Sequence, residues 1–209
     1  MPSGLSQHEK ALAWARSKIG QHEQPMGSNR GPFVHSCQAS TWLGGTGWPW
    51  CVAFWIKAWT QAGRKLPYRG AGAYEFLKWH QKNMSGWVVS LEKAKPGAAI
   101  IWNLGSGHLS MLDRPYSETK PMVHTTDGNV SDAVAKRVRD HKLVRGVVDP
   151  HEDVGAIKPA KPPLFEVVSS ASGHKKIYVS TAGAVAFTSV FLHSEKVSNT
   201  IKSSAWLNL

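Results

Sequence analysis

Apolar residues recur at helical spacing in the first half of the chain and in short alternating runs in the second. In "LSQHEKALAWARSKIGQ", Ser6 is followed three residues later by Glu9, the reciprocal capping pair of a helix start. Leu12, Ala15 and Ile19 then mark one face before Gly20. "CVAFWIKAWTQAG" places Val52, Trp55, Ile56, Trp59 and Ala62 on one face, with Pro49 just ahead and Gly63 as the stop. This predicts a buried helix with Cys51 in its first turn. A third helix is predicted within "AGAYEFLKWHQK". The segment from Gly20 to Gly47 is rich in Gly, Pro, Ser and Asn, holds no period, and reads as one long loop with a functional task or a surface anchor.

Strand-like runs follow at 86–90 (GWVVS), 97–103 (GAAIIWN), 108–113 (HLSMLD), 122–127 (MVHTTD) and 142–148 (KLVRGVV). Helices first and strands afterwards predict an α+β domain over residues 1–148 with an antiparallel sheet. Residues 149–163, with four prolines and no period, read as a linker. Residues 164–209 form a small C-terminal region in which "LFEVVSSASGHKKIYVS" reads as a hairpin and "TAGAVAFTSVFLHS" as strand or helix. No internal repeat is present.

Composition narrows the class. The 209 residues are 42% hydrophobic and 19% charged, which is the globular range. "MPSGLSQHEK" has neither the basic start nor the apolar run of a signal peptide, and no window approaches the roughly 20 apolar residues of a membrane helix. Synthesis in the cytoplasm without membrane insertion is therefore expected. A formal charge of +11 points to a polyanionic partner, whether nucleic acid, anionic membrane or acidic cell-wall polymer. No run of five Lys or Arg supports a nucleic-acid tail.

The two cysteines, Cys37 and Cys51, are too few for a disulfide framework. Cys51 sits where a helix N-terminus stabilises a thiolate, although buried cysteine among aromatic residues is also ordinary core. Of the ten histidines, His8, His151 and His174 lie in polar or linker contexts and His80 at a helix end suited to capping. His108 differs: after a glycine turn it opens a strand whose Leu109 and Met111 face the core, which leaves the imidazole on the other face. Asp127 and Asn129 end a later strand two residues apart, and either supplies the group that holds a histidine tautomer. His35 and Cys37 lack further ligands at zinc spacing, so no metal is expected. Serine-hydrolase, phosphate-loop and dinucleotide motifs are absent.

In order, "IGQHEQPMGSNRGPFV", "GTGWPWCVAFWIKAW", "KPGAAIIWNLGSGHLSML" and "TTDGNV" resemble the CHAP domain, the cysteine, histidine-dependent amidohydrolase/peptidase of phage endolysins and bacterial wall hydrolases, over about residues 8–148. The resemblance implies a papain-like fold related to NlpC-type hydrolases, with Cys51 as nucleophile, His108 as base, and Asp127 or Asn129 as orienting group. Asp127 stands where many members carry glutamate, and Ala98 where many carry an acid after Pro-Gly. Some members bind calcium through an acidic loop ahead of the nucleophile. Here Glu23 is the sole acid between Gly20 and Cys51, so no calcium and no other cofactor is expected.

Trp48 and Trp50 flank the nucleophile, as a groove wall or as core. The implied substrate is a peptidoglycan amide, cut as an N-acetylmuramoyl-L-alanine amidase or an endopeptidase, with anionic wall polymers as a second partner. Nucleic acid and membrane insertion are not implied, and a monomer is. With no signal peptide, the resemblance implies an endolysin freed from the host cytoplasm through a holin lesion, its 164–209 tail a wall-binding module. The alternatives are a chemically retired wall-binding or structural protein of the same fold, and a cysteine amidohydrolase for a non-wall substrate.

Overall fold

Ser6 accepts a hydrogen bond from the Glu9 amide while the Glu9 carboxylate returns to the Ser6 amide, so the predicted capping box starts α1 (Gln7–Arg16). The computed structural model describes residues 4–151 and the strand residues 165–168, 175–178, 180–181 and 184–185. α1 buries Ala11, Leu12, Trp14 and Ala15 but stops at Arg16, short of the periodic Ile19, which is 45% exposed. The reason lies in the next amide: Gly20, at φ +90°, donates to Val134 O and draws the chain away from the helix axis.

The segment expected to be structureless from Gly20 to Gly47 contains a short helix, α2 (Pro32–Gln38). Pro32 fits its first turn, where a missing N–H costs nothing, and Val34 and Cys37 are buried. Two core residues in seven are too few to show a period.

α3 (Cys51–Gln61) buries Cys51, Val52, Ala53, Phe54, Trp55, Ile56, Ala58 and Trp59, which is more than one face. It is the central helix, packed on α1, α2 and the sheet. Its two inner indoles, Trp55 and Trp59, both donate to the Gly97 carbonyl, at 3.0 and 3.2 Å. α4 (Ala73–Asn83) lies where the third helix was predicted and buries Phe76, Leu77 and His80.

Six antiparallel strands follow: β1 (Val88–Val89), β2 (Ala99–Trp102), β3 (His108–Leu112), β4 (Met122–Val130), β5 (Ala133–Asp140) and β6 (Val144–Val148). Their spatial order is β1-β6-β2-β3-β4-β5. Alternation divides their side chains: Ala99, Ile101, Leu109 and Met111 join the helix-side core, and Ile100, Trp102, Leu112 and Val123 build a smaller cluster on the other face. β5 had no counterpart in the expected strands.

The described residues are therefore α+β with an antiparallel sheet, as expected. The chain divides into two compact units, Met1–Ala160 and Lys161–Leu209. Asp149, expected to begin the linker, is fully buried in the first unit, where its carboxylate takes His8 Nε2 at 2.5 Å and the Lys95 amide at 2.9 Å. His8, read as lying in a polar context, is thus a buried structural partner. Residues 152–163 of the expected linker lie outside the described residues. In the second unit β7 (Phe165–Val168) pairs antiparallel with β8 (Lys175–Tyr178), the predicted hairpin. β9 (Ser180–Thr181) pairs with β10 (Ala184–Val185), and the rest of "TAGAVAFTSVFLHS" lies outside the described residues.

Candidate active site

Cys51 is the first residue of α3, and the residue before it, Trp50, makes no side-chain cap. The amides of the first turn are therefore free of a capping side chain and their dipole end faces the sulfur. Two close approaches place the sheet, one against α3 and one against α4. Gly128 of β4 presses on Phe54: a Cβ there would stand 2.5 Å from the Phe54 Cβ, so any larger residue would push β4 off α3. Gly107, at φ +99° and packed under the Tyr74 ring, turns the chain into β3 so that His108 is its first residue.

Within this frame the His108 Nε2 meets Asp127 Oδ2 at 3.0 Å. With Nε2 committed to the carboxylate, Nδ1 is the nitrogen left for the Cys51 thiol. Burial pushes the Cys51 thiol up, but the His108 side chain and its charge, together with the Leu109 and Val52 amides, bring it below the ordinary cysteine range. Burial pulls His108 down, but the Asp127 carboxylate and the Cys51 sulfur raise it to about 9. Asp127 is fully buried, which opposes its charge, yet His108 and Arg139 hold it below the usual carboxylate range. These directions favour the ion pair of a Cys51 thiolate and a His108 imidazolium over the neutral pair. Cys37 is the contrast: buried without a cationic partner of comparable effect, its thiol is pushed up to about 12.

The structure brings Cys51, His108 and Asp127 together, and no hydrogen bond ties the Asn129 side chain to them among the described residues. Asn129 lies within the irregularity in β4 between Asp127 and Val130, at φ +60°, and its side chain makes no hydrogen bond among the described residues.

The paired tryptophans also part company. Trp48 is half-buried, with Nε1 on Gly44 O at 2.9 Å. Trp50 is fully buried, which corrects its reading as a groove wall: its Nε1 donates to Glu23 Oε1 at 2.9 Å. The other Glu23 oxygen takes the Asn29 amide at 2.6 Å, so this buried carboxylate anchors the approach to Cys51. Gln38 steadies the same segment, its Nε2 donating to Trp48 O and Asn29 O at 2.8 and 3.1 Å. His80 is no helix cap either. Its ring is buried among Phe76, Trp87, Tyr68 and Trp79, bonds Phe76 O at 2.8 Å, and is pulled down to about 4 by burial.

Sequence reasoning missed Arg139, whose Nη1 lies 2.8 Å from the same Asp127 oxygen that takes His108. Among the described residues, no group of three or more His, Cys, Asp and Glu side chains stands where it would share a metal ion, and no helix is long and apolar enough to cross a membrane. Comparison of the chain with protein-family models, with curated proteins and with solved structures finds no match.

Proposed function

We propose that the chain is a cysteine-dependent hydrolase of the CHAP type, papain-like in fold, that cleaves an amide of bacterial peptidoglycan as a phage endolysin does. The observation that carries this reading is the helix-borne Cys51 paired with a His108 that is itself bonded to buried Asp127. A thiol with a lowered pKa beside a histidine with a raised one is the arrangement a cysteine nucleophile needs.

In the proposed reaction the Cys51 thiolate attacks the amide carbonyl, and the oxyanion forms against the Cys51 N–H at the start of α3. The tetrahedral species collapses to a thioester as His108 gives its proton to the leaving amine. His108 then takes a proton from water, which attacks the thioester, and the carboxylic acid leaves with Cys51 restored. Throughout, Asp127 holds the Nε2–H tautomer and stabilises the imidazolium.

Peptidoglycan as substrate rests on the family resemblance. The +11 charge adds a reason for the enzyme to accumulate on acidic wall polymers. The same resemblance supports action as a monomer, release from the host cytoplasm through a holin lesion, and a wall-binding task for residues 164–209.

Turbidity of wall suspensions tests the reading. The full chain clears them, and Cys51→Ser abolishes clearing with thermal unfolding nearly unchanged. Clearing by a folded Cys51→Ser protein removes the mechanism, whereas no clearing by the parent chain points to a retired enzyme or another substrate.

A further inference from the structure

We propose that Arg139 on β5 is a positioning residue of the candidate site, one that holds Asp127 in place and balances the charge of the Cys51, His108 and Asp127 group. This rests on the reading of Cys51 and His108 as a reactive pair.

The geometry is specific. Asp127 Oδ2 accepts from or pairs with two groups, a hydrogen bond with His108 Nε2 at 3.0 Å and an ion pair with Arg139 Nη1 at 2.8 Å, and the Asp127 side chain is fully buried. Across the β4–β5 ladder Asp127 faces Ala135, while Arg139 faces Val123. The guanidinium therefore runs along the sheet face past Thr125, to whose Oγ1 it donates at 3.4 Å. Trp102 lies against it, with the ring centre 5.2 Å from Cζ. That indole is fixed in turn by its bond to Ser110 Oγ at 2.7 Å, and Trp102 is the cross-strand partner of His108. Four adjacent strands thus each give one residue to a single unit: Trp102, His108, Asp127 and Arg139.

Charge gives the unit a reason. A thiolate, an imidazolium and a carboxylate sum to minus one in a buried place, where an uncompensated charge is costly. Arg139 brings the sum to zero. The charged groups bearing on Asp127 are His108 from β3 and Arg139 from β5; those bearing on His108 are Cys51 from α3 and Asp127 from β4; Cys51 feels His108. Arg137, next on the same face of β5, is turned away to Lys136 O and Ser131 Oγ. Removing the Arg139 charge lowers the potential across the unit, which disfavours both the Cys51 thiolate and the Asp127 carboxylate.

The test reads the thiol itself and needs no substrate. The full chain and the variants Arg139→Met, Arg139→Gln and Arg139→Lys are alkylated with iodoacetamide across pH, and the Cys51 peptide is followed by mass spectrometry apart from Cys37. The neutral variants are expected to shift the Cys51 thiolate titration upward by about one pH unit, the size of one charge lost at roughly 10 Å in a partly screened interior. Lysine, which keeps the charge, is expected to hold the titration near the parent value. Should Arg139→Met fail to fold, Arg139→Gln carries the same expectation with a neutral polar side chain beside Asp127 and Thr125. A folded neutral variant that titrates like the parent, or a lysine variant that shifts as far as the neutral ones, overturns the proposal. Because alkylation is read whether or not walls are cleaved, failure of the peptidoglycan reading leaves this result standing.

Discussion

The His108 imidazole and the Asp127 carboxylate meet at 3.0 Å across β3 and β4, 19 residues apart in sequence, and the carboxylate is fully buried. A buried acid in that position holds one tautomer of the ring and leaves Nδ1 to the thiol of Cys51. Asn129, two residues on, makes no side-chain hydrogen bond to this pair among the described residues.

Asp127→Asn is therefore expected to lower turnover on the order of 100-fold or more, the usual scale for a proton-transfer apparatus deprived of its partner charge. Asn129→Gly, which keeps the left-handed backbone that Asn129 adopts at φ +60°, is expected to leave turnover close to the parent rate. Turnover of wall fragments by the two folded variants checks this. Equal losses in both would move the orienting role to the amide.

The pH profile follows from the same pair. Cys51 lies below its ordinary range and His108 is raised to about 9, so the reactive ion pair exists between the two titrations. Activity is expected to rise as Cys51 loses its proton on the acid side. It is expected to fall near pH 9, where His108 can no longer protonate the leaving amine. Turnover from pH 4 to 10 measures both limbs. A profile that keeps rising beyond pH 9 would contradict the pair.

How far this arrangement was visible in the sequence depends on what each residue faces. α3 was legible because its apolar residues repeat at helical spacing, and β2 because it is a short unbroken apolar run, AIIW, buried at every position. β5 was not legible because its pattern is inverted: Val138 is half exposed, while the Arg139 side chain is 15% exposed and faces the ionic site. A strand that buries charge toward a site reads as a solvated strand or as none. Trp50 misled for a related reason. Its place next to Cys51 suggested a groove, but its indole is drawn inward by Glu23, a partner 27 residues earlier that no local pattern announces.

His80 carries a stability prediction distinct from the site. Its ring is held neutral by burial, with a pKa near 4 against about 6.5 when unfolded, and its Nε2 has no hydrogen-bond partner among the described residues. Below pH 6.5 the unfolded chain takes up a proton that the folded ring refuses, so stability present above that pH is lost as pH falls toward 4. The loss from this group is about 3 kcal/mol. Thermal unfolding of the parent and His80→Phe between pH 7 and 4 checks it. The parent is expected to lose more stability over that range than the variant, and parallel curves would contradict the assignment.

The central claim is that Cys51 cuts an amide of peptidoglycan, and mass spectrometry of digested walls tests it most directly. Purified peptidoglycan incubated with the full chain is expected to release fragments that have gained one water across a single kind of amide, leaving a new carboxylate and a new amine, and none with Cys51→Ala. Intact peptidoglycan after treatment with the folded parent chain, or the same fragments from a folded Cys51→Ala protein, would contradict it.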